Sequence, residues 1–248
     1  MEVHRHPHTT RKNRTHYVWE FFMLFLAVFC GFLAEWQLER TIEHQREKQF
    51  VRSLVEDLKR DTSQVRFYRR YIRIALSYCD SVQNCIGNSD ILKNSNSFYN
   101  YSRELARFTR YYPTDRTIQQ LKNAGYMRLI RNWNVSNAIT DYDSKTKFLA
   151  ELDVQLNEQI IKYREYLIEF LDLSSYDKQN PAGSFMDNSI RTQGNPGYIT
   201  NDTRMAKMIY NQAFTLKMFL QAVESSGDEL ITNGKQLLDL LESEYHLR

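Results

Sequence analysis

The sequence predicts an all-α protein: an N-terminal transmembrane helix continuing into an elongated antiparallel four-helix bundle. Three observations predict it. Phe21 to Ala34 is an unbroken apolar run of 14 residues flanked by tryptophans. Beyond Val51, apolar residues recur at alternating steps of three and four along four stretches, the spacing of one buried helix face. Glycine (8) and proline (4) are scarce in 248 residues, which disfavours turn-rich β architecture. The segments that follow are a basic, His-rich tail (1–16), a transmembrane helix (17–38), a polar helical stalk (39–50) and a helical bundle (51–248) with a long loop at 174–200.

The anchor is argued from its flanks. Trp19 and Trp36 bracket the run. On a helix they stand roughly 25 Å apart, at 1.5 Å per residue, which suits the two interfacial aromatic positions of a bilayer. A signal-peptidase site needs small residues, and a cut after Ala34 would put Phe32 at −3. The segment is therefore read as uncleaved. Glu20 reads as a snorkelling carboxylate at the interface, with a functional intramembrane acid as the competing reading. Ala27, Gly31 and Ala34 form a small-residue stripe that lets two membrane helices approach closely. Lys and Arg flank both ends of the span. The short tail holds no foldable domain, so the expected orientation is N-terminus in and helical domain out.

The stalk, rich in Glu, Arg and Lys, continues the helix into water. Val51, Leu54, Leu58, Val65, Tyr68, Ile72, Ala75, Cys79 and Val82 then form one seam, interrupted only by Asp61, and Gly87 ends the helix. A second stretch from about Asn96 carries Phe98, Tyr101, Leu105, Phe108 and Tyr112 up to Pro113. Thr114 or Asp115 is placed to cap a short continuation with Ile118 and Leu121, closed by Gly125. A third helix is expected from Val135 to Leu173. A fourth follows a cap at Asn201 or Asp202 and carries Ala206 through Leu241. Gly227 and Gly234 lie on its seam, which implies either close backbone approach or a bend. The loop 174–200 exceeds the usual length and is expected to be functional or disordered.

Lys and Arg number 33 and Asp and Glu 30, and the first twenty residues hold four and two of these, leaving 29 basic against 28 acidic side chains. A balanced domain carries no electrostatic footprint for nucleic acid. Cys79 and Cys85 either pair, if the chain turns between them in an oxidising compartment, or stay free and half-buried on one helix, where they point apart. His4, His6 and His8 alternate in the tail. Metal capture there competes with a plain polar tail. There is no phosphate loop, no HExxH, no G-x-S-x-G and no Glu-x-x-His pair. No catalytic residue, metal site or cofactor is expected. Glu165 and Glu169 read as a solvated face. Of the seam tyrosines Tyr68, Tyr101, Tyr142 and Tyr163, packing with the hydroxyl at the rim is preferred over a ligand pocket.

WEFFMLFLAVFCGFLAEWQLERTIEHQREKQFVRSLVEDLKRDT (19–62) resembles the N-terminal anchor of a family of uncharacterised bacterial membrane proteins. TIQQLKNAGYMRLIRN (117–132) resembles an internal signature of related domains. The resemblance implies a bacterial envelope protein with one anchor and a helical domain, and no activity. The expected function is a non-enzymatic, membrane-anchored interaction protein. The expected partners are the lipid bilayer and either a second copy of the chain (a homo-oligomer) or another membrane protein. The alternative is a ligand-sensing or accessory subunit of a membrane complex. The expected location is the bacterial inner membrane, with the N-terminus cytoplasmic and the domain periplasmic.

Overall fold

The computed structural model describes residues 14–87, 91, 94–107, 109–177, 191–192 and 194–247. The expectations for His4, His6, His8, Phe108 and the middle of the long loop (178–190) lie outside them. The protein is all-α. Its elements are α1 (Arg14–Gly87), α2 (Ser95–Leu105), α3 (Arg116–Asn123), a 3-10 turn (Tyr126–Leu129), α4 (Trp133–Phe170), α5 (Ser174–Asp177) and α6 (Thr203–Tyr245). The chain divides into two compact units, residues 1–50 and 51–248.

In the first unit, α1 is helical from Arg14 onward, and every side chain from Tyr17 to Leu38 is exposed. One helix of the described chain is long and apolar enough to cross a membrane, and it is this one. Trp19, Glu20, Ala27, Gly31, Ala34 and Trp36 all lie on it. His16 Nε2 sits 3.1 Å from Glu20 Oε1.

In the second unit, the seam of α1 is buried from Val51 to Val82, as are those of α4 and α6. The directions of the long helices follow from the pairs between them. Asp61 and Tyr68 of α1 bond to Tyr142 and Asp153 of α4, so α1 and α4 run the same way. Lys59, Arg69, Arg73 and Lys217 pair with Glu242, Asp228, Glu224 and Asp80, so α6 runs opposite to α1. Asn132 caps α4, accepting from the Asn134 and Val135 amides, and Asp202 caps α6, accepting from the Arg204 amide.

The second stretch departs from expectation. Instead of running helical to Tyr112, α2 stops at Leu105, and residues 106–107 and 109–115 are non-helical. The local sequence permits this, since Thr109, Tyr111 and Tyr112 are weak helix formers and Pro113 disfavours helix at the residue before it, and bonds from α1 and α4 hold the segment in place. Consequently Tyr111, not Tyr112, turns inward, and Tyr112 is exposed. Gly125 adopts the left-handed conformation (φ 67°), which glycine takes at little cost, and turns the chain back so that Leu129 and Ile130 are buried.

α4 ends at Phe170 rather than Leu173, because Leu171 leaves the helix to form an isolated bridge with Tyr198. The ends of the long loop are ordered against α2. Tyr99 Oη donates to the Gly197 carbonyl at 2.5 Å, and Tyr176 Oη donates to the Tyr99 carbonyl at 2.7 Å. Phe98, Phe170 and Tyr198 pack around them in edge-on and tilted pairs, with Phe170 and Tyr198 centroids 4.6 Å apart. The described part of the loop is therefore packed structure.

Both cysteines beyond the anchor lie on the continuous α1 and are free. Cys79 is fully buried, and burial pushes its thiol up to about 12. The seam glycines are explained by close approach. A Cβ on Gly234 would lie 2.7 Å from Thr62 Cγ2 and 3.0 Å from Tyr142 Cε2, whereas one on Gly227 would make ordinary contacts with the flexible Arg69 chain at 3.4 Å and Val65 Cγ1 at 3.7 Å.

Candidate functional site: a tethered strand and the face around it

A non-helical segment packed between helices needs partners for its backbone, because a buried N–H or C=O left unpaired costs free energy. α1 and α4 supply them from side chains. Tyr71 Oη donates to the Arg107 carbonyl (3.1 Å), Asn157 Nδ2 to the Thr109 carbonyl (3.2 Å) and Arg164 Nε to the Ala106 carbonyl (2.7 Å). The Thr114 amide donates to Asp61 Oδ1 at 2.8 Å. The Thr117 amide and hydroxyl donate to Asp57 Oδ2 at 2.9 and 2.6 Å, and Arg116 reaches Asp57 Oδ1 at 2.9 Å.

Asp57 thus caps the N-terminus of α3 from another helix, where a carboxylate satisfies orphan amides and complements the helix dipole. Asp115, at the local cap position, makes no such bond and accepts from Gln119 instead. The expectation of a cap at Thr114 or Asp115 is corrected accordingly. Asp61, read from the sequence as an interruption of the seam, is the centre of the arrangement. It is wholly buried and also accepts from Tyr142 Oη at 2.6 Å and Tyr111 Oη at 3.0 Å. Burial pushes its carboxyl above the ordinary range, opposed by these donors. Asp153 is shifted the same way by burial, and accepts from Tyr68 Oη at 2.6 Å. Asp143 is different. Burial raises its carboxyl, but bonds from Lys122 (2.5 Å) and Lys147 (2.9 Å) outweigh that and hold it below the ordinary range.

The hydroxyls of Tyr68 and Tyr142 therefore point inward onto acids and do not sit at a rim, and Tyr163 is fully buried. Every acid named here has a structural donor, which favours a tethering role over a chemical one. Among the described residues, no group of three or more His, Cys, Asp or Glu could hold a metal ion.

A single non-helical segment is thinner than a helix, so open space flanks it. A cavity of about 310 Å³ lies between Phe67 and Tyr68 of α1 and Thr109 to Tyr112. One of about 160 Å³ lies between Ala106 and the Leu167 and Ile168 turn of α4. Phe67 and Tyr112 beside the first, and Ile168 beside the second, are exposed. Arg128 and Arg131 fall at the turn between α3 and α4. Sequence reasoning missed the tether because its partners are 36 to 81 residues apart. The one legible signal was an acid on an otherwise apolar seam.

Comparison with known proteins finds no matching family model, no matching curated protein and no matching solved structure.

Proposed function

We propose that this chain is a membrane-anchored interaction protein of a bacterial envelope, held by the 17–38 segment and acting through the surface of its helical domain, with no catalytic step of its own. The observation that carries this reading is the changed character of a single helix. The apolar side chains of α1 between Tyr17 and Leu38 are all exposed, whereas its apolar seam from Val51 onward is buried. An exposed apolar surface of that length has lipid as its natural solvent. The tethered strand adds a rigid platform with exposed aromatic and aliphatic side chains, the type of surface that docks partners.

The proposed topology is N-terminus cytoplasmic and domain periplasmic, in the inner membrane. Cys79 is a poor reporter of it, being buried. A Lys162→Cys variant in a Cys30→Ser background carries an exposed thiol on α4 instead. An impermeant maleimide should label it in intact spheroplasts. Labelling only after the inner membrane is ruptured would reverse the topology, and recovery of the protein in the soluble fraction would remove the anchor. A ligand-sensing or accessory role is the second reading, favoured by the 310 Å³ aromatic-walled cavity.

A further inference from the structure

The two helices that wall the strand carry exposed stripes of opposite charge. On α4, Val154, Ile161 and Ile168 are spaced by seven and exposed, although they lie on no core seam. Glu151, Glu158 and Glu165 accompany them at the same spacing, three residues ahead each time, and are also exposed. A period of seven keeps both rows on one helix face. On α1, Phe67 and Ile74 are likewise seven apart and exposed, with the exposed Arg70 between them. These aliphatic and aromatic side chains are between 46% and 78% exposed, too much for residues that serve only their own core.

The two stripes lie on either side of the same strand. Phe67 shares a cavity wall with Thr109 to Tyr112, and Ile168 shares one with Ala106. They also ascend in the same direction, because α1 and α4 are parallel. The Tyr68–Asp153 hydrogen bond sets their level. Counting from that pair, Phe67 and Val154 lie within about two residues of the same height, roughly 3 Å, as do Ile74 and Ile161. Arg70 falls between the heights of Glu151 and Glu158.

We propose that this face binds a second copy of the chain in a parallel two-fold dimer. A two-fold axis along the helices places α1 of each copy opposite α4 of the other at equal height. Phe67 and Ile74 then meet Val154 and Ile161, and Arg70 meets the glutamate row, twice over. Isologous contact requires a self-complementary patch, and a basic-apolar stripe beside an acidic-apolar one supplies it. The same axis keeps both Val51 ends, where each domain joins its membrane-anchored segment, on one side of the dimer. An antiparallel pairing would set Glu row against Glu row and separate those ends. The proposal rests on the interaction reading above and specifies its partner.

The test uses the full-length chain in lipid nanodiscs, in a Cys30→Ser background. Phe67→Cys and Val154→Cys chains are co-expressed under distinguishable tags and oxidised. The expected result is a disulfide-linked pair containing both tags, with none from either variant alone. Ile161→Arg should weaken association at least about tenfold, the loss of a central anchor at an interface. Arg70→Glu should weaken it too, and adding Glu151→Arg and Glu158→Arg in the same chain should restore it. That rescue separates the interface from misfolding. A chain that stays monomeric, or a dimer indifferent to Ile161→Arg with its helicity unchanged, overturns the proposal. Cross-linking of Val154→Cys to a different protein also overturns it, and leaves the interaction reading standing.

Discussion

Asp61→Ala probes the tether most directly. The carboxylate is wholly buried and accepts from the Tyr142 and Tyr111 hydroxyls and the Thr114 amide. Removing it leaves three donors facing a small cavity. Each unsatisfied buried donor costs about 1–3 kcal/mol. Against that stands the relief of desolvating a carboxylate, visible in the upward push that burial gives its pKa. Donors near the middle of that range, less the relief, give a net loss of about 3–5 kcal/mol, the range for breaking a buried charged network. Asp61→Asn keeps one acceptor oxygen and the volume, and should cost about half as much. Urea unfolding of the detergent-solubilised chain, followed by far-ultraviolet circular dichroism, gives the stability change. Amide exchange gives its location: protection should fall first at Thr114 and its neighbours in 107–117, while α4 and α6 keep theirs. A loss under about 1 kcal/mol, or a stabilisation, would refute the claim that Asp61 tethers the strand. So would uniform deprotection of all helices at unchanged midpoint.

Other outcomes follow from the same geometry. Gly234→Ala should destabilise by about 1–3 kcal/mol, because its Cβ meets Thr62 and Tyr142 in the core, whereas Gly227→Ala should be neutral or gain up to about 1 kcal/mol of helix propensity; thermal melts distinguish them. Asp57→Ala should cost about 1–2 kcal/mol and Asp115→Ala under about 0.5 kcal/mol by the same urea assay, since only Asp57 caps α3. Asp143 is held below its ordinary pKa of 3.8, so its contribution is present above that value and is lost as pH falls through the lower folded one; Lys122→Gln with Lys147→Gln should lower the melting temperature at pH 7 and leave it little changed at pH 2. Asp61 and Asp153 carry the opposite sign: their folded pKa values are raised, so they contribute most below 3.8 and stability falls as pH rises toward those values. Cys79, buried with its thiol pushed up to about 12, should react with maleimide at pH 7 only after denaturation.

The sequence by itself determined whatever depends on neighbours along the chain. Steps of three and four placed the seams of α1, α4 and α6, whose named members are all buried. Asn201-Asp202 declared the start of α6, where Asp202 is the cap, and Gly125 the turn after α3, because a cap and a left-handed residue are decided within a few positions. The apolar run between Trp19 and Trp36 declared a helix able to span a bilayer, since length and composition suffice for that. Tertiary structure alone decided the fate of residues 106–115. Aromatic spacing favoured a helix running on to Tyr112, and the stop at Leu105 became stable only because α1 and α4 offered Asp61, Tyr71, Asn157 and Arg164 to its backbone. It also decided that Asp57, not Asp115, caps α3, and that Gly234 marks contact rather than a bend. In each case the deciding partner lies on another helix, dozens of residues away. Periodicity records which side of a helix is buried, but carries no information about which polar atom waits there.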